Sequence, residues 1–370
     1  MKSLVAVQRE VFDFLSIEPG MKVAIVCDND EDGLTAAVQM RLFLEMSGCE
    51  TKTFFYDHNT KIANFFSSFL RNIFDRTVFL DLNETFISDV LKEVGKNTGK
   101  CLIIDHHQEL DVTNAFFDFL KIKPWDFSKV EPSHYPASKM VFDLFGGIDW
   151  ICAIGVIGDF SFKEWASFLK QVRKKHSLSE KQMDDLAGIT ACVVAYHNDK
   201  IHDLFDFLCS AKSPTDLFAS WFAESKKEFD DLLEQERQRF FREATYIEDA
   251  EIYFYETKPR LRSKLSTLLS KDIPNKTLMI YEDHGFMVGA SLRRSDFKIN
   301  CGEVSAFAVN GARDGRGGGH IPAAAATFRR TYLSSFKDKI LLYLRTNYPL
   351  KKSAKQRGKI GGRRKKIKKK

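Results

Sequence analysis

Asp105-His106-His107 follows the apolar run Cys101-Leu102-Ile103-Ile104. A carboxylate and two imidazoles thus arrive together at the end of what reads as a buried β-strand. Three more apolar segments end in the same way. Lys22–Cys27 runs into Asp28-Asn29-Asp30-Glu31-Asp32-Gly33, Thr77–Leu80 into Asp81, and Gly155-Val156-Ile157-Gly158 into Asp159. Ligands of open parallel α/β sheets bind beyond the carboxyl ends of the strands. Carboxylates gathered there repel each other and resist ionisation. A shared pair of divalent cations removes that conflict and can clamp an in-line phosphoryl displacement. Imidazole with carboxylates suits Mn²⁺, Mg²⁺, Zn²⁺ or Fe²⁺ without preference.

The elements needed to hold these groups are legible. Strands are expected at Lys22–Cys27, Thr51–Tyr56, Thr77–Leu80 and Lys100–Ile104, with helices between them at Leu34–Met46, Ile62–Arg71 and Thr85–Val94. Strands separated by helical patterns of this length predict βαβ units and a parallel sheet. Pro136 is expected in the first turn of a helix running through Leu144. From Lys163 to about Ala244 the chain reads as helical. Its last stretch, Ser225–Ala244, is charged and reads as an exposed spacer helix. Strands follow at Ala250–Tyr255, Lys276–Tyr281 and Gly285–Ser291, with Asp283-His284-Gly285 as a hairpin turn. Then come a helix at Gly302–Val309, a Gly-rich loop at Gly311–Gly319 and a terminal helix at Tyr332–Asn347.

The order of these motifs resembles the DHH phosphoesterase superfamily. Asp28-x-Asp30-x-Asp32-Gly33, Asp81, Asp105-His106-His107 and Gly158-Asp159 match its four-motif core. Gly317-Gly318-Gly319-His320 with Ala323–Ala326 is similar to the GGH-x-x-AAG element of the DHHA1 domain that follows in RecJ exonucleases and nanoRNases, although Ala325 stands where that pattern has Gly. The resemblance covers roughly the first 345 residues. It implies an α/β chain of three parts: a parallel-sheet DHH domain (1–222, core 1–165), a linker helix (223–247) and a smaller α/β DHHA1 domain (248–348). The remainder, 349–370, is basic, has no apolar period and reads as a disordered tail.

The resemblance also implies the ligand set. Asp28, Asp30, Asp32, Asp81, His106 and Asp159 would hold two ions, with Asp81 bridging them. Many relatives carry a His at the position of Val26, and others at that of Asp28, so Asp28 is expected to replace that ligand. An all-oxygen first site favours Mn²⁺ or Mg²⁺. Asp105 would orient a neighbouring imidazole. His107 would contact the scissile phosphate or protonate the leaving oxygen. In the smaller domain Gly318, Gly319 and His320, with Arg293, Arg313 and Arg316, would bind the nucleotide end. His134 is a weaker candidate for lining the site. The implied activity is metal-dependent hydrolysis of single-stranded nucleic acid or short oligonucleotides from an end. Small phosphoesters (cyclic dinucleotides, phosphoadenosine phosphate, polyphosphate) are the alternative substrates. Degenerate superfamily members serve instead as replication or repair scaffolds, which allows a partner of that kind.

Composition agrees. The 370 residues carry a net charge of +6, but 351–370 hold twelve Lys/Arg and no acid. The rest has 44 basic against 50 acidic residues, about −6. The tail therefore reads as a tether for polyanions on an acidic body. Seven Cys, an odd number without a Cys-x-x-Cys pair, read as reduced thiols of a cytoplasmic protein. No secretory h-region and no membrane-length apolar run is evident. The 33 Phe are mostly packing. A few could stack on nucleobases, but the sequence does not say which.

Overall fold

The computed structural model describes residues 1–56, 69–83, 88–107 and 119–349. The helix expected at 62–71 and the basic tail lie outside them, apart from 69–71 and Pro349. The chain divides into two compact units, Met1–Phe229 and the remainder from Asp230.

The first unit opens with α1 (Leu4–Leu15), β1 (Lys22–Asp28), α2 (Glu31–Met46), β2 (Glu50–Tyr56) and β3 (Phe74–Leu80). It continues with α3 (Ser88–Asn97), β4 (Thr98–Ile104) and β5 (Phe119–Ile122). The strands form one parallel sheet in the order β2-β1-β3-β4-β5. Both faces are covered, so the strands are near-continuously apolar. Val23, Ile25, Val78, Leu80, Leu102 and Ile104 pack on one side. Ala24, Val26, Phe79, Cys101 and Ile103 pack on the other. The alternation is the two-residue period of a strand read off a doubly buried sheet. β5 carries no such pattern, being short with only Ile122 fully buried, and sequence reasoning missed it.

The order reverses at β1 and β3, and the carboxyl ends of strands at such a switch point form the ligand crevice. Asp28 ends β1 and Asp81 follows β3. Gly33 sits in the first turn of α2, where a Cβ would lie 2.5 Å from the carbonyl oxygen of Asp28. Only glycine lets that helix start against the strand end.

Beyond the sheet the unit is helical, as expected: α4 (Ala137–Phe145), α5 (Asp149–Gly158), α6 (Ala166–His176), α7 (Glu180–Tyr196), α8 (Ile201–Ser210), α9 (Pro214–Phe218) and α10 (Trp221–Glu243). Pro136 precedes α4 as its N-cap rather than lying in its first turn. Gly155–Gly158 is corrected outright. It is the last turn of α5, not a strand. A short apolar run reads alike in a buried strand and a buried helix, and Trp150 through Val156 are all buried. α5 fits against its neighbours through glycine. A Cβ on Gly155 would lie 2.3 Å from Ser138 Oγ and 2.4 Å from Thr35 Oγ1. One on Gly158 would lie 2.6 Å from Glu31 Cβ.

The expected spacer helix is α10, and it is less exposed than its charge suggests. Phe229, Glu236 and Phe240 are buried along it. Glu236 accepts hydrogen bonds from Tyr255 Oη (2.9 Å), Thr257 Oγ1 (3.3 Å) and Lys258 N (3.2 Å). The unit boundary falls inside this helix, not at either end of it.

The second unit adds β6 (Thr245–Ile247), β7 (Ile252–Glu256), α11 (Arg262–Asp272), β8 (Thr277–Asp283), β9 (Met287–Arg293), α12 (Cys301–Val309), β10 (Arg316–Gly319), β11 (Ala323–Arg329) and α13 (Leu333–Asn347). Its six-stranded sheet runs β10-β11-β9-β8-β7-β6, with only β7 and β8 parallel. The hairpin at Asp283-His284-Gly285 forms as expected, with Gly285 at φ 82°. The Gly-rich loop does not extend to Gly319. Residues 316–319 pair with β11 as an edge strand. Three adjacent glycines hide strand character because they lack side chains to show the period.

Candidate metal centre

The carboxylates and imidazoles converge at the switch point. Asp81 takes a left-handed backbone (φ 58°) just past β3, and its amide donates to Ile104 O at 3.0 Å. The turn carries the buried Asp81 carboxylate toward the end of β4. There His106 Nε2 lies 3.3 Å and His107 Nδ1 3.9 Å from Asp81 Oδ1. One donor atom each from Asp81, His106 and His107 falls within 4.8 Å of the others. On its other side His106 Nδ1 lies 3.3 Å from Pro132 O and 3.9 Å from Asp159 Oδ2. His106 therefore sits between the two carboxylates.

The acids of the first motif take different postures. Asp30 caps α2, its Oδ1 accepting from Gly33 N at 2.8 Å. Asp28 accepts from Asn29 N at 2.7 Å. Asp32 is buried, and its two oxygens accept from Ala137 N (2.6 Å) and Ser138 N (3.0 Å). It thus anchors the N-terminus of α4 to the site, where the helix dipole favours a negative charge.

These acids share one electrostatic field. Burial, then Asp81 and Asp28, push the Asp30 carboxyl well above the usual range. Burial and Asp32 do the same to Asp81. Burial and Asp32 lift Asp159 to about 7. Asp81 Oδ1 is buried, and among the described residues nothing donates a hydrogen bond to it. A buried carboxylate oxygen without a donor costs free energy, and a cation is the partner that an acid cluster lacks. The residues present therefore fit a divalent ion at Asp81 and His106, with His107, Asp30, Asp28, Asp32 and Asp159 around it.

No family model matches this chain, and no curated protein matches it. Solved structures do. RecJ from Thermus thermophilus, solved in complex with Mn²⁺, superposes with a TM-score of 0.67 at 15% identity over 94% of this chain and 55% of its own. An exonuclease RecJ bound to manganese gives 0.64 at 15% identity, covering 94% of this chain and 96% of that one. The DHH domain of a member of a ribosomal-protein family gives 0.63 at 13% identity over 92% of both chains. This chain has the DHH fold. It spans about half the length of the T. thermophilus RecJ.

Within the DHH fold the structure adds a residue that sequence reasoning missed. Lys123, 1% exposed, follows the unrecognised β5. Its ammonium is paired with Asp105 Oδ2 and donates to His107 O at 3.1 Å. Asp105 Oδ1 meets His107 Nδ1 at 2.7 Å. Asp105 is fully buried, yet His107 and Lys123 outweigh that burial and hold its carboxyl well below the usual range. Burial lowers the His107 imidazole, but Asp105 outweighs it and the net shift is upward. Asp105 thus orients His107, not His106. Parallel pairing of Ile104 with Ile122 brings Lys123 to Asp105, residues 18 apart in sequence. His134 is exposed; its carbonyl accepts from Trp165 Nε1 at 2.8 Å.

In the second unit the expected nucleotide-binding residues separate into two ends. Arg293 ends β9 and pairs in register with Ala323, while Gly319 pairs with Ala324. Gly318, Gly319, His320 and Arg293 therefore share one end of the sheet. Arg316 pairs with Thr327, three residues or about 10 Å further along the strand, and Arg313 precedes it. Arg293 Nε is buried without a hydrogen bond. Arg294 is committed to Glu251 (3.1 Å) and Asp296 (2.8 Å). Gly319 has φ 144°, and a Cβ there would lie 2.6 Å from Ala323 O and Ala324 Cα. A Cβ on Gly318 would meet nothing within 4 Å.

Proposed function

We propose that this chain is a metal-dependent phosphodiesterase that hydrolyses single-stranded nucleic acid or short oligonucleotides from an end. The observation that carries the reading is the buried, undonated Asp81 Oδ1 between two imidazoles and a ring of acids. Mn²⁺ or Mg²⁺, two ions per site, would be held by Asp28, Asp30, Asp32, Asp81, His106 and Asp159. When bound, the ions supply electrophilic polarisation of the phosphoryl group and a nucleophile at neutral pH.

The chain's own residues do the rest. His106 is shared between Asp81 and Asp159, so its ring joins both halves of the site. His107 has Nδ1 on Asp105, which leaves Nε2 for the leaving oxygen. Asp105 raises the imidazole's proton affinity, which favours the protonated ring that a general acid needs. Lys123 fixes Asp105 and through it the ring. In the second unit Arg293, Gly318, Gly319 and His320 supply a cation, backbone amides and an imidazole for a terminal phosphate or base. The basic tail adds attraction for long polyanions.

The test is a time course on end-labelled RNA and DNA pentamers with Mn²⁺, run beside a cyclic dinucleotide, phosphoadenosine phosphate and polyphosphate. Mononucleotides released from the pentamers support the reading. Turnover of the small phosphoesters alone transfers the site to those substrates. Metal-loaded protein inert on all of them, but holding a replication or repair partner, makes the chain a scaffold.

A further inference from the structure

The C-terminus of α5 closes in a Schellman motif. Ser161 N donates to Val156 O (3.0 Å) and Phe160 N to Ile157 O (3.1 Å), with Asp159 as C-cap. The residue after the cap takes the left-handed conformation, and glycine is strongly preferred there. Here it is Phe160, at φ 56°. A bulky residue in that region is a genuine outlier. Packing does not explain it: Phe160 is 72% exposed, and no other ring contacts it among the described residues. Phe162, two positions on, is also exposed.

The flanking residues are fixed. Asp159 belongs to the candidate metal centre. Ser161 is buried, and its hydroxyl donates to the Asp159 carboxylate at 3.3 Å. An exposed ring thus stands one residue from a carboxylate of the site, on a backbone conformation that disfavours a bulky residue. Strain of this kind persists where function retains it. The combination recurs once among the described residues. Phe297 has φ 58°, is 65% exposed, and follows Arg293 by four residues.

We propose that Phe160 is a stacking platform for the nucleobase adjoining the phosphodiester at the metal centre, so that the site selects base-bearing strands over base-free phosphate chains. This rests on the phosphodiesterase reading and names its substrate class. An exposed aromatic face accepts any base and discriminates by its presence.

The experiment uses the full chain with Ca²⁺ in place of Mn²⁺, and fluorescence anisotropy of an end-labelled DNA pentamer and its abasic counterpart of equal charge. Phe160→Asn suits the left-handed backbone while deleting the ring, and Phe160→Trp keeps a larger aromatic face. For Asn we expect roughly tenfold weaker binding of the pentamer, at the low end for one base–aromatic stack, and less than twofold change on the abasic strand. For Trp we expect wild-type discrimination. The melting temperature of the Asn variant should equal or exceed that of wild type, because strain is relieved. Unchanged pentamer binding by the Asn variant, or equal losses on both strands, overturns the proposal. Wild-type initial rates with Mn²⁺ separate the two readings: no hydrolysis of any phosphodiester fails the phosphodiesterase assignment, whereas hydrolysis with an unchanged KM in the Asn variant fails only the stacking role.

Discussion

Replacing Lys123 by methionine probes the support of the candidate site without touching a metal ligand. Met has similar length and no charge. Lys123 is 1% exposed and Asp105 fully buried, and the ammonium also bonds His107 O. Removing one partner of a buried pair leaves an uncompensated charge, which costs about 3–5 kcal/mol. His107 still faces Asp105, so the lower part of that range applies, about 3 kcal/mol. For a unit of this size each kcal/mol moves the melting temperature by about 2–4 °C. Lys123→Met should therefore unfold roughly 6–12 °C below wild type. The double variant Lys123→Met/Asp105→Asn, with no buried charge at either position, should recover most of that loss. Hydrolysis should fall about 10- to 100-fold in both, the usual effect of removing a group that orients a site imidazole. Calorimetry and initial rates on a pentamer complete the cycle. Equal melting temperatures for wild type and the single variant would refute the buried-pair reasoning. Full activity in the double variant would refute the orienting role of Asp105.

Asp81→Asn or His106→Ala should abolish hydrolysis and the Mn²⁺-induced rise in melting temperature while leaving the circular dichroism spectrum intact; near-normal turnover would misplace the site. Asp159→Asn should stabilise the metal-free chain, and more so at pH 8 than at pH 5. With its folded value raised to about 7, the carboxyl binds its proton more tightly folded than unfolded. Its ionisation therefore destabilises the fold above the unfolded value, increasingly until pH 7 is passed. Thermal scans in EDTA at both pH values check the sign, and a lower melting temperature for the variant at pH 8 would reverse it. Gly318→Ala should fold normally and Gly319→Ala should not, since only the second would drive a Cβ into backbone; equal melting temperatures for the two would contradict the hairpin geometry. Deleting 351–370 should weaken binding of long strands and flatten the salt dependence by about 0.7 in the log–log slope per lost phosphate contact, with little change on dinucleotides. Parallel losses on both would argue against a tether.

Much of the site was legible because its residues follow apolar strands directly. β1, β3 and β4 each declare themselves by an unbroken buried run, and Asp28, Asp81 and Asp105 stand at their ends. Once the strands are parallel, those ends must lie on one edge of the sheet. The close approach at Gly33, by contrast, shows only in the structure, where a Cβ would meet the Asp28 carbonyl. Hydrophobic period and strand polarity are local properties, and they fix which residues can reach the switch point.

The remainder is not local. Asp159 reaches the site from the end of a helix, because the small residues Gly155 and Gly158 let α5 pack closely against its neighbours. Composition could not distinguish that helix from a strand. Asp32 bonds the amides of Ala137 and Ser138 more than a hundred residues away. Lys123 meets Asp105 only through the register of β4 on β5, and β5, at four residues, is too short to announce itself. The sequence determined the kind of chemistry by fixing the donor atoms and the polarity of the strands that carry them. Tertiary structure decided which donor faces which, since partner choice, burial and the resulting charge coupling depend on packing between segments that no sequence period records.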